Sequence, residues 1–118
     1  MALSELLGPS EKISRVWRAR VGVQLSNVFT RLDRYSDAIA IGEATRGYAL
    51  ENHEDNGVLS LFNDLMHCYL KSEDYVRAAA VAKDLEEQLS ARELDPVSKD
   101  AFQASLRITK NSTSFALT

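Results

Sequence analysis

The single cysteine of this 118-residue chain, Cys68, stands directly after His67. A thiol and an imidazole within hydrogen-bond reach make a nucleophile and its base. Adjacent residues on a helix point about 100° apart, so His67 and Cys68 do not form such a pair. Cys68 then reads as a small buried hydrophobe. His53-Glu54-Asp55 offers metal-ligating side chains, but nothing elsewhere completes a coordination set, and a hydrated loop is the plainer reading. One cysteine excludes a disulfide framework and any multi-cysteine zinc site. Asn111-Ser112-Thr113 has the form of a glycosylation acceptor, which matters only in a secreted chain. No catalytic site, metal or cofactor is expected from these residues, and the chain reads as non-enzymatic.

The elements that hold these residues are all helical. With 45% hydrophobic and 26% charged residues the composition is that of a globular chain rather than a disordered one. The 86 residues between Pro9 and Pro96 contain no proline, alanine is abundant, and no stretch alternates strictly as a strand does. Five helices are predicted, over about 10–32, 35–51, 57–70, 74–93 and 96–109. The turn signals Asp33-Arg34, Asn56-Gly57 and Ser72-Glu73-Asp74 divide them, and Asp95-Pro96 supplies a cap followed by a first-turn proline. Residues 111–118 are small and polar and are expected to form a flexible tail. Val58, Leu61, Phe62, Leu65, Met66 and Tyr69 make one apolar stripe, and Tyr75, Ala78, Ala82, Leu85 and Leu89 another. Short connections imply antiparallel neighbours.

The chain also repeats. At an offset of forty residues Leu25 lies over Leu65, Tyr35 over Tyr75, Ala38 over Ala78 and Ala40 over Ala80. Phe29/Tyr69, Arg31/Lys71, Asp33/Glu73 and Ile41/Val81 keep residue type. A repeat of this length built from two helices is the mark of a helical solenoid. Units over about 13–52 and 57–94, with a partial third over 96–110, make one domain over 1–110.

Leu65, Tyr69 and the run Lys71-Ser-Glu-Asp-Tyr75, followed by Ala78, resemble the tetratricopeptide repeat (TPR) pattern. In that pattern an aromatic after the turn plugs the gap between two helices, and a small residue lets them approach. Both copies lack the glycine of that turn, having Asp33 and Glu73 instead, and the spacing is longer than usual. Phe62 to Lys71 is similar to the first helix of the related pentatricopeptide (PPR) repeats, which bind single-stranded RNA. Arg34 to Gly42 resembles the helical repeats of proteasome-lid and signalosome subunits. The resemblance implies a short TPR-like α-solenoid that serves protein–protein interaction, as a scaffold or assembly subunit of a larger complex. An RNA-contacting PPR-like protein, of the mitochondrial kind, is the alternative.

In TPR proteins the first helix of each unit lines the binding groove. The resemblance therefore points to Arg20, Asn27, Arg31, Asn63, His67 and Lys71 as partner-binding residues, for an acidic peptide or a C-terminus. Solvated helix faces are the alternative. Residues 1–34 carry net +3 and residues 35–118 net −6, so a basic first helix could meet an acidic partner or a second copy. The acidic remainder counts against nucleic acid. Trp17 shares a stripe with Val21 and Leu25 and is expected to pack on the second helix; an exposed interface anchor is the other reading. No apolar run is long enough to cross a membrane. The start of the chain does not read as a secretory signal, so a reducing, cytoplasmic setting is expected, with mitochondria as the alternative.

Overall fold

The computed structural model describes residues 11–51 and 57–118, with side chains from residue 14 onward in the first segment. Residues 1–10 and the His53-Glu54-Asp55 loop lie outside these. The described chain is all-α: α1 (Glu11–Arg31), α2 (Tyr35–Glu51), α3 (Gly57–Lys71), α4 (Tyr75–Ser90) and α5 (Pro96–Leu117).

The forty-residue offset recurs in the backbone. After α1, the amides of Leu32, Asp33 and Arg34 donate to the carbonyls of Val28, Thr30 and Phe29. After α3, those of Ser72, Glu73 and Asp74 donate to Cys68, Leu70 and Tyr69. Each set closes a helix through one left-handed residue, Asp33 at φ 58° and Glu73 at φ 60°. Glycine adopts this conformation without steric penalty, whereas other residues meet a cost of about 1–2 kcal/mol. Asp33 is the better tolerated, being a short polar residue, and it accepts a hydrogen bond from Tyr35 Oη at 2.9 Å. Asp74 then caps α4 by accepting from the Arg77 amide, and Asp95 caps α5 by accepting from the Ser98 amide.

Two helix ends differ from expectation. α4 stops at Ser90 rather than near Glu93, because Asp95 must be extended (ψ 150°) ahead of Pro96 and the chain needs room to leave the helix. α5 does not end near Thr109 with a tail after it but continues to Leu117. Asn, Ser and Thr are poor helix formers, yet Thr109 and Thr113 are buried and bond back to the carbonyls of Ser105 and Lys110. The Lys110 ammonium also pairs with Glu86 of α4.

Each helix packs on its neighbour in chain order, and α3 touches all four of the others. α1 and α2 are antiparallel, since Arg18 bonds Tyr48 while Ser26 bonds the Ala38 carbonyl. Their approach is close because the contact residues are small. A Cβ at Gly22 would collide with Thr45, and one at Gly42 would sit 2.7 Å from Leu65 Cδ2. The large core side chains belong to the second hairpin: Leu59, Leu61, Phe62, Leu65, Met66 and Leu85 are all buried, as the α3 and α4 stripes require. Arg46 of α2 lies over the Phe62 ring at 4.9 Å and pairs with Asp84 of α4, tying the two hairpins together.

Replacing Glu73 by Gly is expected to stabilise the chain by about 0.5–1 kcal/mol, the left-handed penalty being partly offset by the extra freedom of an unfolded glycine. Gly22→Ala is expected to cost about 1–3 kcal/mol through overpacking against Thr45. Urea midpoints of the two variants check both signs.

Candidate interaction surface

α1 and α3 lie side by side and run in the same direction. Asn27 Nδ2 donates to Asp64 Oδ2 at 3.1 Å, and one turn on, Thr30 Oγ1 and Cys68 Sγ are 3.3 Å apart. α5 closes the other side through Ser105, Ile108 and Thr109, leaving a cleft of about 230 Å³ floored by α3.

Of the six residues singled out in the sequence, Asn63 and His67 line this cleft. Asn27 borders it through its bond to Asp64. His67 is exposed and meets the Tyr35 ring edge-on at 5.9 Å. Arg20, Arg31 and Lys71 are exposed and do not line the cleft, although the Arg31 charge reaches Asp64. Among the described residues no group of three or more His, Cys, Asp or Glu side chains could hold a metal ion.

The residue that sequence reasoning passed over is Asp64. It is buried at the centre of this face, and burial pushes its carboxyl above the ordinary range. The Asn27 amide and the His67 and Arg31 charges pull it partly back. A signal for it existed: Asp64 is three residues after Leu61 and four before Cys68, a spacing that puts an acid on the buried side of the helix. Cys68 is fully buried, as expected, and burial pushes its thiol up.

The expectation for Trp17 is overturned. Trp17 is 59% exposed, Val21 48% and Leu25 40%, and Val28 and Leu32 continue the exposed stripe. These side chains do not cover α2. Trp17, Val21 and Leu25 form one wall of an open, apolar groove of about 430 Å³, with Ile41, Ala44 and Tyr48 of α2 as the other wall. Sequence spacing marks a stripe as apolar but cannot say whether anything packs on it.

No helix among the described residues is long and apolar enough to cross a membrane. In comparisons with family models, curated proteins and solved structures, no match to this chain was found.

Asp64 makes a testable contribution to stability. A carboxyl whose folded pKa is raised holds its proton more tightly in the folded state, so stability falls as pH rises from the ordinary carboxyl range through the folded value. Asp64→Asn keeps an oxygen for Asn27 and removes the buried charge. It is expected to raise stability near neutral pH by about 1 kcal/mol, an advantage that disappears below the ordinary carboxyl range. Thermal melts across that pH window measure it.

Proposed function

We propose that this chain is a TPR-like helical-repeat module that binds other proteins and has no catalytic role, serving as a scaffold or assembly subunit. The observation that carries the reading is the doubled hairpin. Two helix pairs close through the same hydrogen-bonded left-handed turn forty residues apart, and their first helices, α1 and α3, run parallel and share a face. Stacked hairpins of this kind offer an extended surface made by several helices at once, which suits the recognition of a peptide or a partner's chain end.

The occupant of the α1–α3–α5 cleft in this reading is an acidic peptide or free C-terminus. Arg31, whose charge reaches Asp64, and the exposed Lys71, next after the cleft-lining Leu70, are the cations of this reading, and Asn63 and His67 supply polar contacts within the cleft. Asp64 works against the same ligand. When ionised it repels a carboxylate, so the cleft accepts an acidic chain most readily when Asp64 is protonated or neutralised by its neighbours.

Fluorescein-labelled decapeptides with Asp- and Glu-rich free C-termini test this by polarisation. Binding is expected to fall about tenfold or more when the C-terminus is amidated, and to be lost in the Arg31→Glu, Lys71→Glu double variant. Asp64→Asn should tighten binding severalfold. Unchanged affinity in the double variant would remove the cleft from the reading.

A further inference from the structure

We infer that the exposed stripe of α1 and the groove beside it form a seat for one helix of a different protein. The expected occupant is amphipathic, has a small residue at its centre, and is flanked by Asp and Glu. The seat is separate from the α1–α3–α5 cleft.

The chain itself shows how such a seat is filled. At the forty-residue offset Val21, Leu25 and Val28 correspond to Leu61, Leu65 and Cys68. Those three residues of α3 are 0% exposed. What lies over Leu65 is α2, whose Gly42 brings its backbone down onto that side chain, and whose Arg46 reaches across to Asp84 of α4. In the second hairpin, then, a helix with a small central residue occupies the position that stands open in the first. Ala44, at the place of Asp84, lines the open groove.

The first hairpin also lacks the means to hide these residues by its own rearrangement. Its buried residues are Ala19, Gly22, Ser26, Ala38, Gly42, Thr45 and Ala49, all small. Val23, Ile39 and Leu50 are partly buried against the core, whereas Trp17, Val21, Leu25, Val28 and Leu32 stay exposed at spacings of four, four, three and four, the pattern of a helix seam. Contiguous apolar surface of this kind marks an interaction site.

Charge selects among the occupants. Of the cations of α1, Arg18 lines the groove, Arg20 is exposed two residues on, and Arg15 pairs with Glu51 of α2. The other end helix, α5, carries Lys99, Arg107 and Lys110 against Asp100. A second copy that offered either of its end helices would bring like charge to like, whereas a helix with acidic flanks is attracted and oriented. A run of aliphatic side chains at helical spacing fits a helix better than the stacking platforms that single-stranded RNA needs.

Trp17 is the only tryptophan, so its fluorescence reports the seat directly. The probe is a helical peptide of about five turns with Leu along one seam, Ala at its centre and Glu on both flanks; a Lys-flanked peptide of the same seam is the control. The expected result is a blue shift of Trp17 emission and protection from acrylamide by the Glu-flanked peptide. Affinity for the Lys-flanked peptide should be about tenfold lower or weaker still. Val21→Glu should lose binding with helical circular dichroism and urea midpoint unchanged, because Val21 is half exposed; Val28→Glu should repeat this. Lys71→Glu, which acts at the cleft, should leave this binding intact, so the two surfaces can fail separately. The inference is overturned if neither peptide moves the emission or if both bind equally. It is also overturned if single-stranded RNA shifts the emission more than the peptide does, or if Trp17 is already shielded in the free chain. In that last case, sedimentation that shows a monomer assigns the seat to the chain's own residues, and a dimer assigns it to a second copy.

Discussion

The packing of α3 against four helices is the constraint on which the rest of the structure depends. Nine of its fifteen residues are buried, among them Leu59, Leu61, Phe62, Leu65 and Met66. Burying one such side chain contributes about 1.5–3 kcal/mol. No other helix of this chain offers a comparable set. α2 buries only Ala38, Gly42, Thr45 and Ala49, which are too small to hold a hairpin by burial alone. Its role is to come close. Gly42 admits Leu65 from α3 on one side, and Gly22 of α1 admits Thr45 on the other, so α1 and α2 are fixed to the core by fit and hydrogen bonding more than by apolar area. The first hairpin is secured to the second by α3 and by the pairing of Arg46 with Asp84 of α4.

That asymmetry explains what was legible in the sequence. The helix starts, the turns at Asp33 and Glu73 and the cap at Asp95 are local matters, decided by residues within a few positions of each other, and the spacing and turn residues point to them. The stripes of α3 and α4 are legible because both are met by neighbours within this chain. The stripe of α1 has the same apolar spacing, and its Val21, Leu25 and Val28 align with Leu61, Leu65 and Cys68 of α3, yet it is exposed. Its fate depends on whether a helix precedes it in space, which periodicity does not encode. The α5 extension was illegible for a different reason: propensity counts Asn111, Ser112 and Thr113 against a helix, while tertiary burial of Thr109 and Thr113 overrides it.

The missing turn glycines follow the same logic. The two departures from the repeat pattern that the sequence shows, Asp33 and Glu73, fall where the backbone is left-handed. Both positions retain compensation. Arg34, next after Asp33, lays its guanidinium over Phe29 at 4.9 Å, and Asp74, next after Glu73, caps the following helix while pairing with Arg77. The Asp74 carboxyl is held below its ordinary range by that arginine and by the helix amide. Each turn is thus followed at once by a residue that makes its own contact, a cation–π contact at Arg34 and a helix cap at Asp74.

Asp64 shows where burial and recognition pull in opposite directions. Burying the Asp64 carboxyl is costly even beside Asn27, His67 and Arg31, and replacing it by an apolar residue would relieve that cost while leaving Asn27 without its acceptor. The bond between them fixes the register of α1 on α3, one turn from the Thr30–Cys68 contact. Since α1 carries both Arg31, whose charge reaches Asp64, and the exposed stripe, its register decides how the two surfaces stand relative to each other. A ligand that neutralised Asp64 would stabilise this alignment, and one seated on the Trp17 stripe would secure α1 from its open side. Both surfaces thus involve the same helix, one through Asn27 and its bond to Asp64, the other through Trp17, Val21 and Leu25.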